Sequence, residues 1–177
     1  MEHIILAILD QEPMHGYELH LRLDKLPGVS KIWNLKQALF YAKLERLEET
    51  GYIQRMNRPD DAEESSRIVF QLTPAGKKSL MTWITDPVRK ARDLQQVFLG
   101  KLIVARRYGL HKTLELVRNQ RVVCQSWLHH LEVEMPEKTI EQLDEYLVHT
   151  FKIHRDHATL SWLDEIESQL LQTDSWS

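Results

Sequence analysis

The segment NLKQALFYAKLERLEETGYIQRMN, residues 34–57, constrains the fold most, because it passes from a helical pattern to a strand pattern without a long linker. Phe40, Leu44 and Leu47 recur at the spacing of one helix face. Gly51 suits a left-handed C-terminal cap, and the residues after it are aromatic and β-branched. The segment therefore predicts a helix joined by a tight turn to a β-strand.

The start and the polar side of this helix are also predicted from its residues. Asn34 is a favoured N-cap residue and Gln37 stands three positions later, which is the spacing of a capping box. The face opposite Phe40 carries small and polar residues: Gln37, Ala38, Tyr41, Ala42, Glu45 and Glu49. A face with two alanines is poor for filling a core, so we expect it to meet a partner outside the chain's own interior.

The remaining pattern surrounds this segment with helices and completes a β-hairpin. Helices are predicted over residues 2–11, 17–26, 74–86, 92–108, 111–134 and 138–172, and strands over 52–58 and 67–72, joined by the polar loop PDDAEESS. Three helices followed by a hairpin are the order of a winged helix-turn-helix, whose third helix enters the DNA major groove. The predicted fold class is mainly α with a small β-hairpin: a winged helix-turn-helix over residues 1–86 and a helical dimerisation region over 87–177.

Composition excludes several classes of protein. No apolar run among the 177 residues approaches the roughly 20 residues of a membrane-spanning helix, and the N-terminus lacks a secretion signal. Cys124 is the only cysteine, which rules out an intramolecular disulfide and suits a reducing compartment. The net charge of −3 disfavours a general nucleic-acid coat but permits a local basic face. We therefore expect a cytoplasmic protein with no membrane partner.

Four segments carry a resemblance to a known family: HGYEL (15–19), LFYAKLERLEETGYI (39–53), RIVFQLTPAGKKSL (67–80) and HATLSWLDEI (157–166). The chain resembles the PadR-like transcriptional regulators, and in layout their AphA-like subgroup with a long C-terminal helical region. The resemblance implies a homodimeric repressor or activator that binds inverted-repeat promoter DNA. In some members a small molecule bound between the halves weakens DNA binding. Two features depart from the family pattern: Ala42 stands where many members have proline, and the wing loop is acidic.

The candidate DNA-binding residues are Tyr17, Asn34, Lys36, Gln37, Ala38, Tyr41, Lys43, Arg55 and Arg67. Small residues let a helix approach base edges, glutamine can pair with adenine, and tyrosine, lysine and arginine can bind phosphate. For Tyr17 two interpretations remain open, a phosphate contact at a helix N-terminus and packing in the core. Arg67 is predicted to reach phosphate or the minor groove, with a salt bridge to Glu63 or Glu64 as the alternative.

The candidate dimer-forming residues lie on the last predicted helix: Leu143, Leu147, Phe151, Leu160, Trp162 and Leu163. The apolar face of this helix needs a partner, and about 90 residues of helix form only a thin core by themselves. A twofold dimer would present two recognition helices about 34 Å apart, which matches an inverted repeat.

The remaining conspicuous residues favour structural roles. His149, His154 and His157 do not converge with a carboxylate on an ideal helix, so no metal site is predicted. The tryptophans favour packing, although a cavity for a small aromatic effector is compatible with them: Trp33, Trp83, Trp127 and Trp162. No glycine loop or serine elbow is present, so we predict no catalytic residue, no enzyme and no cofactor. The expected function is transcriptional repression, with a protein-binding adaptor that has lost DNA contact as the alternative.

Overall fold

The computed structural model describes residues 1–33, 36–56 and 68–174. Its helices are α1 (Glu2–Leu9), α2 (Gly16–Lys25), α3 (Val29–Ile32), α4 (Gln37–Glu49), α5 (Pro74–Thr85), α6 (Leu99–Arg107), α7 (Leu110–Val133) and α8 (Leu143–Asp174). A 3-10 turn (Ala91–Asp93) and a π-helical stretch (Leu94–Phe98) precede α6, and the strands are β1 (Met14–His15), β2 (Ile53–Met56) and β3 (Val69–Leu72). The predicted fold class, mainly α with a small hairpin in a winged helix-turn-helix, is confirmed.

Two predicted helix starts are wrong. Helix α4 begins at Gln37 with Lys36 as its N-cap, and the first i to i−4 bond runs from Phe40 N to Lys36 O, at 3.1 Å. The capping box predicted from Asn34 therefore does not begin this helix, and Asn34 itself lies outside the described residues. Helix α8 begins at Leu143 rather than at 138, because Gln142 closes a separate turn by donating its N–H to Thr139 Oγ1 at 3.3 Å.

The sheet contains one strand that the sequence pattern did not reveal. Its order is β1-β3-β2 and all pairs are antiparallel, with Met14 opposite Phe70 and Ile53 opposite Leu72. Two residues, the length of β1, are too few to display an alternating pattern. The extra strand ties the residues just before α2 to the hairpin, so α2, α4 and the hairpin form one surface.

The turn between α4 and β2 matches the prediction made from Gly51. Gly51 has a φ of 72°, its N–H donates to Glu48 O at 2.9 Å, and the Tyr52 N–H donates to Leu47 O at 2.9 Å. These two bonds are the Schellman pattern that satisfies the last carbonyls of a helix. The predicted N-cap of α5 is confirmed as well, since Gly76 N–H donates to Thr73 Oγ1 at 3.1 Å.

Helix α1 is the centre of the core. Every residue from Ile4 to Leu9 is buried, and α1 packs against α2, α4, α5 and α6. The apolar core is continuous into the C-terminal helices, where it includes Phe98, Leu116 and Leu163. A helix that is apolar on all sides is stable only inside such a core.

Helix α6 joins the winged helix-turn-helix to the C-terminal helices. Lys101 is only 3% exposed, and its Nζ donates to Trp83 O at 2.8 Å and to Asp86 O at 2.6 Å. These are main-chain oxygens at the C-terminal end of α5, so Lys101 caps that helix. Burial lowers the pKa of Lys101 to about 8, although the nearby Asp86 carboxylate opposes the shift. On the other side of α6, the Trp33 ring packs directly against Gly100.

Candidate nucleic-acid interface

Helix α4 has a buried face and an exposed face, called here the bare face, which carries Gln37, Ala38 and Ala42. Phe40, Leu44 and Leu47 are each no more than 2% exposed and enter the core, as the spacing predicted. Gln37, Ala38 and Ala42 are exposed on other sides of the helix. The alanine side of α4 is therefore not covered by the described part of its own chain.

Tyr41 marks one edge of this bare face and is held in place by packing. It is partly buried, and its ring meets the Phe40 ring edge-on with centroids 5.2 Å apart. A Cβ built on Gly16 would lie 3.2 Å from Tyr41 Cε1, so the absence of a side chain at Gly16 lets α2 approach α4 closely. Packing thus fixes the ring of Tyr41 while leaving part of the side chain accessible.

Tyr17 lies across a groove from Tyr41. It is 65% exposed at the beginning of α2, which excludes the interpretation that it packs in the core. The groove has a volume of about 640 Å³ and is bounded by α2, α4 and the hairpin, including the rings of Tyr17, Tyr41 and Phe70. The start of α2 lies at this groove, where the helix dipole favours an anion, while the carboxylates of Glu18 and Glu45 in the same lining oppose one.

The predicted cationic residues occupy different environments. Lys36 is exposed at the N-cap of α4, as a phosphate-binding lysine should be. Lys43 is partly buried on the side of α1, with its Nζ 3.5 Å from Glu2 Oε1, so the two lysines do not flank the bare face as expected. Arg55 places its Nε 2.8 Å from Glu48 Oε1 and must exchange that partner to reach a phosphate. Arg67 lies outside the described residues.

Leu39 is a surface feature that the sequence interpretation did not single out. It is 52% exposed in the first turns of α4, whereas the other large apolar residues of this helix, Phe40, Leu44 and Leu47, are buried. The available signal was its position off the stripe formed by those three residues. Farther along the helix Glu45 and Glu49 are exposed, so the first two turns are the part of α4 best suited to approach a polyanion.

The candidate dimer residues divide between two faces of α8. Leu143, Leu147, Phe151 and Trp162 fall within about 100° on the helix, with exposed fractions of 44%, 55%, 70% and 36%. Leu163 is fully buried in the core of its own chain, and Leu160 is packed against that core. Leu143, Leu147 and Phe151 are available to a partner, whereas Leu163 is buried and the Trp162 ring already contacts Phe98 inside the chain.

Ion pairs fasten the second half of α8 to α7. Arg118 Nε lies 2.7 Å from Glu167 Oε1, and Arg121 bonds to both Glu167 and Asp164, with 2.8 Å from its Nε to Asp164 Oδ1. The bonds from Arg118 and Arg121 lower the pKa of Glu167. Together with the burial of Leu163, these ion pairs hold one side of α8 against α7, and the exposed apolar face points away from it.

The cysteine, the histidines and the tryptophans lie at separate places. Burial raises the pKa of the fully buried Cys124 thiol. His149 Nδ1 is 3.1 Å from the Glu145 main-chain oxygen, and across residues 1–33, 36–56 and 68–174 no three His, Cys, Asp or Glu side chains form a metal-binding group. The Trp162 ring meets Phe98 edge-on, and Trp33, Trp83 and Trp127 are partly buried against the core. Within the same described ranges, no helix has the length and apolar character to cross a membrane.

The bare face of α4, the adjoining hairpin and the exposed start of α2 form the surface of a winged helix-turn-helix, and the sequence of this region matches a known family. Residues 5–82 match the family model described as the Transcriptional regulator PadR-like family. Over these residues the chain is similar to the PadR-like transcriptional regulators. The match extends from α1 through most of α5, and the family is one of transcriptional regulators rather than of enzymes.

Solved structures that are similar to this chain have low sequence identity to it. Bacillus subtilis PadR in complex with operator DNA is 19% identical, with 96% of each chain covered and a TM-score of 0.45. The same protein in complex with p-coumaric acid is 19% identical, with 96% of this chain and 97% of that chain covered and a TM-score of 0.42. The Vibrio cholerae virulence activator AphA is 20% identical, with 97% and 98% covered and a TM-score of 0.39. Comparison with curated proteins gives no match. The similarity to the family thus covers residues 5–82, which is less than half of the chain.

Proposed function

We propose that this PadR-like chain is a homodimeric transcriptional repressor that acts in the cytoplasm on inverted-repeat promoter DNA. Residues 1–86 would bind DNA and residues 87–177 would form the dimer. The observation that carries the proposal is the exposed alanine side of α4, which the described part of the chain leaves open while the opposite side of the helix is buried. Alanine side chains allow a helix to lie close to the edges of bases in the major groove.

The proposal assigns roles to side chains on three elements. Gln37 and the two alanines face the bases, and the hydroxyl groups of Tyr17 and Tyr41 donate to phosphates on either side of the groove between α2 and α4. Lys36 and Arg55 supply positive charge to the DNA backbone. The roles of Asn34 and Arg67 remain predictions from the sequence, and Lys43 is assigned to its ion pair with Glu2 rather than to DNA.

A salt titration of DNA binding tests the proposal. The protein should shift the DNA upstream of its own coding sequence, with affinity falling steeply as salt rises. Lys36→Ala should lower the slope of log affinity against log salt by about one, because one phosphate contact is removed. Tyr41→Phe should weaken binding through loss of the hydroxyl alone, whereas Tyr41→Ala also removes packing against Phe40.

Lys112→Ala is the matched control, because Lys112 is a partly exposed lysine on α7, outside the proposed interface. It should bind DNA like the parent. If the protein gives no salt-sensitive shift at micromolar concentration, the alternative of a protein-binding adaptor is favoured. If the Lys36 and Tyr41 variants bind DNA like the parent, the surface that faces the DNA major groove has been assigned to the wrong residues.

The proposed dimer is supported by the apolar face that α8 leaves open. Leu143, Leu147 and Phe151 are spaced four residues apart and all are exposed, so they form a stripe along the first half of the helix. The ion pairs to Arg118 and Arg121 bind the second half of α8 to α7 of the same chain. A second copy related by a twofold axis can cover both exposed stripes at once.

Sedimentation measures this association directly. The parent should sediment at twice the 21.0 kDa mass of one chain, and Phe151→Asp should sediment as a monomer because it places a charge in an apolar contact. Lys152→Asp, one position farther along the helix, is the matched control and should remain a dimer. A parent that is monomeric at micromolar concentration would refute the dimer while leaving DNA binding by a single chain to be measured separately.

A small aromatic effector is the second part of the proposal. The groove between α2, α4 and the hairpin is lined by Tyr17, Tyr41 and Phe70, and its volume of about 640 Å³ suits a small molecule. An occupant there would compete with DNA for Tyr41. Calorimetric titration with p-coumaric acid and flavins should give saturable heat that is reduced by Tyr41→Ala. Binding that leaves DNA affinity unchanged would contradict competition at this groove.

A further inference from the structure

Helix α4 exposes an apolar side chain where base edges would lie, and this indicates which base pairs it can read. We propose that α4 reads A·T pairs in each half-site, with the Leu39 side chain on the methyl group of a thymine. This inference rests on the proposed function, since it names the DNA class recognised by the same surface. Leu39 is 52% exposed and is not among the described side chains that pack against the core.

The donor and acceptor chemistry of the exposed residues disfavours G·C pairs. Guanine is recognised in the major groove mainly by arginine or lysine, and cytosine by a carboxylate. In the first two turns of α4 the exposed side chains are those of Gln37, Ala38, Leu39 and Ala42, none of which is charged. Lys43 is directed at Glu2, and the first carboxylate, that of Glu45, comes one turn later.

The same side chains are suited to A·T pairs. Thymine is the only base with a methyl group in the major groove, and apolar side chains contact it favourably, while glutamine can bond to adenine through two atoms. Ala38 and Ala42 let the helix approach closely, and Leu39 lies about 60° around the helix from Ala42. Covering Leu39 with a methyl removes apolar surface from water on both sides of the contact.

The charged residues near the two ends of α4 can contact the DNA backbone instead of the bases. Lys36 stands at the N-cap, about 160° around the helix from Ala38, and so lies away from the centre of the bare face. Arg46 is exposed on the side of Leu39, but it lies about 10 Å farther along the helix axis. From these positions, Lys36 and Arg46 would contact phosphates at the margins of the DNA major groove rather than a guanine at its centre.

Selection followed by methyl deletion tests the inference with the full-length protein. Duplex sites selected from a random DNA pool should contain A·T pairs at the centre of each half-site. Each thymine of the selected half-site is then replaced in turn by deoxyuridine, which lacks only the methyl group. For the parent, the substitution at one thymine should weaken binding about fourfold, the effect expected from exposing one methyl-sized group.

The Leu39→Ala variant should lose this penalty, so that the same deoxyuridine substitution has no measurable effect on its affinity. Leu171→Ala is the matched control: Leu171 is 49% exposed near the end of α8, and this variant should retain the fourfold penalty. G·C pairs at the centre of the selected half-sites would overturn the inference. So would deoxyuridine penalties that are equal in the parent and in Leu39→Ala at every thymine. A pool from which no site is enriched, together with no salt-sensitive binding, would instead overturn the proposed function.

Discussion

Lys101→Met should change how the stability of the protein depends on pH. Burial lowers the pKa of Lys101 from 10.5 to about 8 in the folded chain. Between these two values the unfolded state binds more protons than the folded state, so the free energy of unfolding of the parent rises as pH increases. The destabilising cost of the buried charge is fully present below pH 8 and is relieved through this window. From about pH 7 to about pH 9.5 the gain is about 2 kcal/mol.

The methionine variant carries no titrating group at position 101, so it should lack the rise in unfolding free energy that Lys101 causes in the parent. At pH 7 it avoids the cost of the buried charge, about 3 kcal/mol from the pKa shift. It also leaves the Trp83 and Asp86 carbonyls without their donor, at about 1–3 kcal/mol each. These terms nearly cancel, so the stability at one pH is a poor test and the change with pH is a good one.

Urea unfolding followed by circular dichroism, at one protein concentration and at both pH values, measures the difference. The raised pKa values of Tyr108 and Cys124 lower stability in alkali, and the lowered pKa of the Met1 amine raises stability above pH 7. Burial is the largest cause of each shift, so these contributions nearly cancel in the comparison of the two proteins. Lys112→Met, at a more exposed lysine, should follow the parent. If Lys101→Met shows the same pH dependence as the parent, the Lys101 amine is hydrated and does not cap α5.

Three further predictions concern close packing. Gly76→Ala should destabilise the protein by about 2 kcal/mol or more, although alanine has the better helix propensity, because the new Cβ would overlap the Tyr52 carbonyl oxygen. Thermal unfolding measures this loss, with Ala75→Gly as the comparison variant, which should cost about 1 kcal/mol. Gly100→Ala should displace the Trp33 ring and therefore shift the tryptophan fluorescence emission. In a Trp33→Phe background, the same Gly100→Ala substitution should cause no such shift. Cys124 should react with a thiol reagent only after unfolding in urea, and rapid reaction in the native protein would contradict its burial.

Local patterns were sufficient to predict most of the elements that form the candidate site. The positions of Phe40, Leu44 and Leu47 predicted the buried face of α4, and the exposed alanine side followed from it. Gly51 and Thr73 predicted the helix ends on either side of the hairpin. The start of α4 was predicted at the wrong residue because a favourable capping sequence is only a weak local preference, which the surrounding chain can override.

The environment of individual side chains could not be predicted in the same way. Lys43 and Lys36 look equivalent in the sequence, yet only Lys43 has Glu2 beside it, because α1 packs against that side of α4. Tyr17 could have been a core residue or a surface residue, and its exposure depends on how α2 approaches α4 across Gly16. Such contacts join residues that are distant in the chain and leave no periodic signal.

The sequence by itself determined most of the helices and the hairpin, because spacing, caps and turn residues act within a few positions of one another. Only the tertiary structure decided which apolar face of α8 is covered. Both faces carry leucines, but Leu163 is buried against the chain's own core while Leu147 is left exposed. The choice depends on which side of α8 meets α7, and the burial of Leu163 favours that side more strongly than the partly exposed ion pairs of Arg118 and Arg121 do.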